Sequence, residues 1–354
     1  MNLKVICSLF IGVIFLQSCK KAHSGLDPDF KINSFPKQYV LNNGNYLKND
    51  SLLLGDSRWI RYHPDSFVIV QELGNDKMLK IIDLKTGKIQ EIIDKGRGPN
   101  EMVSAWGINV VDKDIWVYGG QLKKMLKLSY DDERQFYISD NLSLDDQTCL
   151  VGSALNDSTI IGLCFPDTNR LTIYDRNKNV KKIGEFPLIH SSNQVEPNNI
   201  VFISFMAGGP NNKVVLACDK TDILEIYDIN KGLEKRLHGP KGIKIEAEGV
   251  DLGMGNKIFK TTPPFRAFYN VVANEHEFCV GYIGYETIEG VKRSLEDSYP
   301  KRIFCFSWDG EPKREYVFDI PIISFDFDWE NKKIYALTID PEAKIIVFDI
   351  NEKI

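Results

Sequence analysis

The chain has 354 residues, enough for one large domain or two ordinary ones. Its 43% hydrophobic and 26% charged residues exclude a disordered chain and indicate a globular body with a core. A formal net charge of −5, without any basic block, argues against a protein that binds nucleic acid through its phosphates.

The N-terminus has the pattern of a bacterial lipoprotein signal. Lys4 precedes an apolar run of twelve residues, Val5–Leu16, which is too short to cross a bilayer as a helix and suits a signal-peptide core. The run ends in Leu16-Gln17-Ser18-Cys19, which resembles the lipobox that is cut before its cysteine. We therefore expect residues 1–18 to be removed and Cys19 to carry a lipid that anchors the protein without spanning the membrane. An ordinary secretory peptide with an accidental cysteine is the alternative.

The residues after Cys19 indicate which side of the membrane the protein faces. Loss of Lys4 brings the net charge of the mature chain to about −6, that is −5 minus 1. Residues 19–36 are expected to be the lipidated cysteine and a flexible tether. Immediately after Cys19 the chain continues Lys-Lys-Ala-His-Ser, without the acidic cluster that accompanies surface export in some related bacteria. We therefore expect an outer-membrane protein of the cell envelope that faces the periplasm.

The body of the chain repeats a four-strand unit. Short apolar runs alternate with Asp, Asn, Gly and Pro turns, which is typical of an all-β chain. An apolar strand followed by an Asp-rich turn begins six times, at positions 79, 126, 171, 224, 303 and 345, and a second strand precedes each copy. With one more strand on either side, the pattern predicts a six-bladed β-propeller of four-stranded antiparallel blades over residues 37–354. A pair of β-sandwiches is the alternative fold.

The sixth unit lacks a fourth strand. It ends at Ile354 after its third strand, and an unpaired sheet edge invites aggregation. The segment "KQYVLNN" (37–43) precedes the first unit and has the character of a strand. We predict that this N-terminal strand closes the ring.

The cysteine pattern predicts neither disulfide bonds nor a metal site. Beyond the signal and Cys19, the chain contains five: Cys149, Cys164, Cys218, Cys279 and Cys305. Their number is odd and no C-x-x-C is present, so the spacing indicates neither a disulfide framework nor a zinc site. Most lie in apolar runs, where we expect small buried hydrophobic side chains.

The lipobox, the six units and one junction together resemble the TolB-like six-bladed propeller lipoproteins of Gram-negative bacteria. The junction "GRGPNE" (96–101) is similar to the G-x-G-P-x-E motif of that family and of the related NHL-type propellers. The architecture resembles that family over the whole mature chain, but only this junction matches a specific sequence motif of the family. A departure follows the second strand of the next blade, where NHL-type blades often have Asp and this chain has Gly119-Gly120. Because members mostly lack an assigned activity, the resemblance implies a fold and a location rather than a reaction.

The same junction could be mistaken for a phosphate-binding loop. Such loops open a helix, whereas Pro99 removes a donor here and the next segment has the pattern of a strand. We expect the glycines to supply unusual φ values in a tight passage between blades.

Loop lengths predict a functional face. The turns between first and second strands and between third and fourth strands are short, whereas long connections at 187–199, 239–265 and 283–302 all belong to the opposite face. We expect this long-loop face, especially near blades four and five, to hold a protein, peptide or glycan partner and no nucleic acid.

Candidate site residues follow from their expected positions. First strands line the channel of a propeller, so Arg58 and Arg61 of blade one should lie close to Asp326 and Asp328 of blade six. Further candidate ligand-binding residues are Glu101, Trp106 and Tyr285. The alternative is a structural ion pair or a solvated channel lining.

The sequence is compatible with three functions. The favoured one is a lipid-anchored binding module without catalytic residues or a cofactor. The second is a metal-dependent, lactonase-like hydrolase or lyase that uses channel acids around Ca²⁺, and it requires three or four converging ligands. The third is a purely structural envelope protein, which would have no concave site.

Overall fold

The computed structural model describes residues 30–144, 148–177, 179–187, 198–253, 256–287, 291–292, 294–339 and 342–350. The predicted signal peptide, Cys19 and most of the predicted tether lie outside these residues, so signal cleavage and lipidation stay predictions. Within them, no helix is long and apolar enough to cross a membrane.

Two N-terminal strands, β1 (Gln38–Leu41) and β2 (Asn45–Tyr46), precede a ring of six antiparallel blades. The strands of blades one to three are β3 (Ser57–His63), β4 (Phe67–Glu72), β5 (Lys77–Asp83) and β6 (Ile89–Asp94); β7 (Gly107–Val111), β8 (Asp114–Gly119), β9 (Lys124–Tyr130) and β10 (Phe136–Ser143); and β11 (Thr148–Asn156), β12 (Thr159–Phe165), β13 (Leu171–Asp175) and β14 (Val180–Ile183). The six-bladed propeller is confirmed.

The second half of the chain contains an inserted hairpin between blades four and five. The strands of this half are β15 (Ser204–Gly208), β16 (Lys213–Cys218), β17 (Ile223–Asp228) and β18 (Gly232–His238) in blade four; β19 (Glu246–Gly253) and β20 (Asn256–Thr262) in the hairpin; β21 (Phe265–Ala273), β22 (Glu277–Glu286), β23 (Arg302–Ser307) and β24 (Pro312–Phe318) in blade five; and β25 (Ser324–Asp328), β26 (Lys333–Ile339) and β27 (Ala343–Asp349) in blade six. The helical elements are a four-residue helix, α1 (Leu295–Ser298), and the 3-10 turns Ile32–Ser34, Gly120–Leu122 and Pro210–Asn212.

An N-terminal strand does close the ring, but it is not the predicted segment. The two-residue β2 pairs antiparallel with β27 and completes blade six. The segment predicted for this role, 37–43, contains β1, which pairs parallel with β24 as a fifth, outer strand of blade five. The N-terminal chain therefore crosses from blade five to blade six before it enters blade one.

The folded body also begins earlier than expected. The tether was expected to reach residue 36, yet Phe30 and Phe35 are buried, and both rings pack against Phe304 and Phe306 of blade five. Burial of a phenylalanine side chain stabilises a fold by about 1.5–3 kcal/mol. Two such side chains fix the N-terminal segment to the ring from Phe30 onward.

Separate apolar clusters fill all six interfaces between neighbouring blades. The second and third strands supply most of them, because both faces of a blade are covered by its neighbours. Continuous apolar runs such as "FVIV" in β4, all buried, are the expected consequence.

Two disulfides correct the expectation for the cysteines. Cys149 and Cys164 are directly paired across β11 and β12 of blade three and are joined by a disulfide. Cys279 and Cys305 are paired in the same way across β22 and β23 of blade five. Among the cysteines that the structure describes, Cys218 alone is a free, buried thiol, and burial raises its pKa to about 11. The odd count reflects two pairs and one buried thiol.

A buried ionic network joins blades three and four. The Arg170 guanidinium donates to a Glu225 carboxylate oxygen at 2.7 Å, and both side chains are at most 1% exposed. Arg170 also donates to Asn199 Oδ1 at 2.7 Å and to Ser204 Oγ, while Arg236 provides a second cation for Glu225 at 2.7 Å. These bonds satisfy the charges that the fold removes from water.

Candidate functional site

A cavity of about 510 Å³ opens where the first strands of all six blades end. Its lining residues belong to 61–64, 109–112, 154–155, 206–210, 271–275 and 326–330, one segment from each blade. We call this space the channel cavity. Its mouth is framed by the short turns between first and second strands, so it lies on the face opposite the predicted long-loop face.

The channel cavity is acidic. Its lining contains five carboxylates and one guanidinium, that of Arg61: the acids are Asp112, Glu275, Asp326, Asp328 and Glu330. Asp326 and Asp328 are buried in the wall, at 9% and 3% exposure, while the other three acids are exposed. The structure thus brings together three predicted site residues, Arg61, Asp326 and Asp328.

Asp326 is a buried acid of the cavity wall whose carboxylate accepts two backbone hydrogen bonds. One carboxylate oxygen accepts from the backbone N–H of Tyr62 at 3.0 Å and the other from the N–H of Phe327 at 2.7 Å. Burial nevertheless raises the pKa of Asp326 to about 6, although Arg61 and the two N–H donors act in the opposite direction. A carboxylate with such a pKa in a cavity is typical of functional sites.

Arg61 is held by backbone carbonyls. Its Nε donates to the carbonyl of Ile108 at 2.9 Å, and Nη1 donates to that of Ile60 at 2.8 Å. Burial lowers its pKa, and the charge of Asp326 opposes that shift. The predicted Arg–Asp contact between blades one and six is therefore an electrostatic interaction between Arg61 and Asp326 within one cavity. The hydrogen bonds of the guanidinium go to backbone carbonyl groups instead. Arg58, its predicted companion, is exposed and does not line the cavity.

Asp328 is fixed by its own turn and by blade one. It accepts from the N–H and the side-chain amide of Asn331 at 3.0 and 2.9 Å, and it hydrogen-bonds the Tyr62 hydroxyl. The Tyr62 ring stacks on Tyr335 with centroids 5.1 Å apart. Burial and this hydrogen bond both raise the pKa of Tyr62. The tyrosine therefore serves as a neutral donor that orients the acid.

Three aromatic rings meet across the channel on the inner side of this cavity. Trp59 of blade one lies 5.7 Å from Phe205 of blade four and 5.4 Å from Tyr269 of blade five, and Phe205 and Tyr269 are 5.0 Å apart between ring centroids. We call these residues the aromatic plug. Because blades one and four are on opposite sides of the ring, the plug bridges the channel on the inner side of the cavity.

A smaller cavity of about 40 Å³ adjoins the channel cavity and shares Arg61, Asn109, Met206 and Val271 with it. We call it the inner cavity. Asn270 lines it at 1% exposure, with a backbone φ of 63°, a conformation that asparagine tolerates better than most residues. Its Nδ2 donates to the Phe325 carbonyl at 2.8 Å and to Ser324 Oγ at 3.3 Å, whereas its Oδ1 has no partner.

Glu101 forms a hydrogen bond within its own loop and does not line the channel cavity, and its ligand-binding role stays a prediction. Its carboxylate accepts from the Gly98 N–H at 2.8 Å, and Lys124 donates to the carbonyls of Gly98 and Pro99 at 2.9 and 3.0 Å. Neither glycine of the junction has the positive φ that we expected. They leave room for the Glu101 side chain, because a Cβ at Gly96 or Gly98 would lie 1.9 or 2.9 Å from its carboxyl group and would make it move.

Two other predicted residues lie outside the channel cavity. Trp106 is 36% exposed and lines the inner cavity, with its ring against Gly120. Tyr285 is partly buried in β22, where it pairs with Arg266, and it lines neither cavity. Their binding roles stay predictions, and so does recognition by the long-loop face, whose connection 188–197 lies outside the described residues.

Metal ligands do not cluster in the part of the chain that the structure describes: no three His, Cys, Asp or Glu side chains converge there. Asp326 and Asp328 accept hydrogen bonds on both oxygens. The expectation of Ca²⁺ stays untested.

Sequence reasoning missed Asn270 and the acids of the cavity mouth. Asp112, Glu275 and Glu330 occur in the short turns that the repeat had located, so their common face was available from the repeat itself. Asn270, whose amide oxygen has no partner, had only a faint signal in the sequence, a polar residue between apolar ones in "FYNVV".

Comparison with known proteins places the chain in a family. Among solved structures, it resembles virginiamycin B lyase from Staphylococcus aureus (12% identity, 87% of this chain and 99% of that one, TM-score 0.49) and a DUF4221 family member from Bacteroides vulgatus (14%, 88% and 94%, 0.47). No curated protein sequence matches it. The TolB-like 6-blade propeller-like family matches residues 59–331, which cover all six blades in part or whole. The chain therefore belongs to the TolB-like six-bladed propeller family.

Proposed function

We propose that the protein is a lipid-anchored binding module of the bacterial cell envelope that takes a small ligand, or the end group of a larger one, into the channel cavity. The observation that carries this proposal is the cavity itself. Ligand sites are commonly concave spaces of about 300–1,000 Å³ with a few converging polar groups. The 510 Å³ space, with two buried acids in its wall and the aromatic plug at its inner side, fits that description.

Binding is favoured over catalysis because the buried acids are already engaged. Asp326 and Asp328 are held by backbone and side-chain donors rather than directed together at one point. This arrangement suits electrostatic recognition, which needs fixed charges, more than metal chemistry, which needs converging ligands.

The envelope location has two independent supports. One is the Leu16–Cys19 lipobox, and the other is the pair of disulfides, since such bonds persist in oxidising compartments and are rare in the cytosol. We expect the full chain to enter the detergent phase in a Triton X-114 partition and the Cys19→Ser variant to enter the aqueous phase. Equal partition of the two proteins would contradict lipidation at Cys19.

The binding role is tested by filling the cavity. Ala207 lines the channel cavity, so Ala207→Trp should occupy part of it, whereas Tyr137→Trp adds the same side chain at a position that is 51% exposed on an outer strand. The anchored proteins would be isolated from membranes of the native host and denatured, and the small molecules released would be identified by mass spectrometry. We expect one or more compounds to be released by wild type and Tyr137→Trp but not by Ala207→Trp. Release of the same compounds in equal amounts by all three proteins would contradict the proposal.

A further inference from the structure

We propose that the ligand of the channel cavity is an organic cation, a molecule that presents an alkylammonium or guanidinium group. This inference rests on the proposed function, since it names the chemistry of the ligand at the same site.

The charge of the lining is the first argument. Five carboxylates face one guanidinium, and Arg61 donates through Nε and Nη1 to the carbonyls of Ile108 and Ile60. The arginine therefore cannot neutralise the cavity by direct pairing with its acids. Two of the acids are buried, where charges are screened far less than on the surface. A cation entering this space meets an excess of negative charge, and an anion is repelled.

The unpartnered amide oxygen of Asn270 is the second, independent argument. Its Nδ2 is bonded to Phe325 and Ser324, which fixes the orientation of the amide and leaves Oδ1 without a donor at 1% exposure. A buried acceptor without a partner is costly, so such groups normally find a donor. Asn270 lines the inner cavity, which is large enough for one water-sized group and adjoins the channel cavity. An N–H or O–H donor that reaches the inner cavity by way of the acidic space would satisfy this oxygen.

The aromatic lining is the third argument. Tyr62 and Trp329 line the channel cavity with partly exposed rings, and Trp329 is stacked on the buried Phe327 with centroids 4.3 Å apart. Aromatic faces attract ammonium and guanidinium groups, most strongly where water is excluded. Carboxylates, a carbonyl acceptor and aromatic rings together favour a cation with an organic body over a bare metal ion or a neutral sugar.

Two sources would supply this chemistry, a free polyamine or the basic side chain of a peptide. Spermidine and the peptide Ala-Lys-Ala distinguish them, with Ala-Glu-Ala and N-acetylglucosamine as anionic and neutral probes. Binding would be measured by isothermal titration calorimetry on the chain from Lys20 to Ile354. Asp326→Asn removes the buried charge, and Asp50→Asn is its matched control at an exposed position outside the cavity. The double variant Glu275→Gln, Glu330→Gln removes two exposed charges and protects the test against misfolding of Asp326→Asn.

We expect at least one cationic probe to bind wild type and Asp50→Asn, with affinity reduced about tenfold or more by Asp326→Asn and less by the double variant. The tighter of the two cationic probes identifies the source. Cation binding that is unchanged in both cavity variants would overturn the inference, and so would no binding of either cation up to millimolar concentration. In those cases, a compound released by wild type but not by Ala207→Trp would leave the proposed function standing with a different ligand class.

Discussion

Trp59 and Phe205 are in contact across the centre of the ring, with centroids 5.7 Å apart, although they belong to opposite blades, one and four. Tyr269 completes the group by stacking on Trp59. A propeller channel can run through the whole molecule, but here three aromatic rings meet across it on the inner side of the acidic mouth. The aromatic plug therefore forms the inner boundary of the channel cavity between blades one, four and five.

Removing the tryptophan should weaken the ring. Trp59→Ala deletes ring contacts with two other blades, and we expect the free energy of unfolding to fall by about 2–3 kcal/mol, less than for a fully buried tryptophan. Tyr137→Ala, at an exposed outer position, should cost less than about 0.5 kcal/mol. Urea denaturation measures both. A loss no larger in Trp59→Ala than in Tyr137→Ala would show that the plug does not hold the blades together.

The disulfides predict a definite thiol count. The chain from Lys20 onward, denatured without reductant and treated with iodoacetamide, should be alkylated at Cys218 alone. The double variant Cys279→Ser, Cys305→Ser should lose about 2–4 kcal/mol of stability, because the unfolded chain is no longer constrained. Mass spectrometry provides the count and urea denaturation the stability. Alkylation at all five cysteines before reduction would contradict both bonds.

Asp326 should give stability a distinctive dependence on pH. Its pKa in the folded protein is about 6, and the ordinary value for aspartate is about 3.9. Between these values the folded state binds a proton that the unfolded state has lost, so its contribution to stability is greatest below the window and falls as the pH rises through it. Arg61 and the N–H groups of Tyr62 and Phe327 face this carboxylate and limit the shift.

The measurement for this effect is the free energy of unfolding from about pH 4 to pH 7 in wild type and Asp326→Asn. The difference between the two proteins should change in favour of the variant as the pH rises through the window. Parallel curves would mean that Asp326 titrates normally in the folded protein.

The network between blades three and four predicts a contrast between two arginines. Arg170→Met leaves Glu225 buried with only Arg236 as its cation, and we expect a loss of about 3 kcal/mol or more. Arg176 pairs with Asp140 at 2.9 Å on the surface, so Arg176→Met should cost about 0–1 kcal/mol. Thermal and urea unfolding of the two variants provide the comparison, and similar losses would mean that burial does not set the strength of these pairs.

Much of the ring was predictable because each blade repeats one apolar pattern. The closing strand was assigned to the wrong segment for a physical reason. The segment "KQYVLNN" contains the four-residue β1 with Tyr39 and Val40, which favour strands, whereas β2 contains only Asn45 and Tyr46 and is specified by its partner β27. A two-residue strand has no periodicity of its own to detect.

The disulfides and the inner cavity show a second kind of limit. Cys149 and Cys164 lie 15 residues apart, which suggests nothing by itself, yet they are direct partners once β11 and β12 are set in register. Strand register was therefore the missing information. Asn270 is different, because its unpaired oxygen depends on how side chains from blades five and six pack, which no single-strand pattern encodes.

Site-specific photocrosslinking in living cells tests the central claim, binding in the channel cavity, most directly. Benzoylphenylalanine would replace Glu330, which is exposed and lines the cavity, and, as a control, Tyr137 on the outer face of blade two. After irradiation, intact mass spectrometry should show a discrete added mass on the protein labelled at position 330 and none at position 137. Absence of any adduct at position 330, or the same adducts at both positions, would contradict ligand binding in the channel cavity.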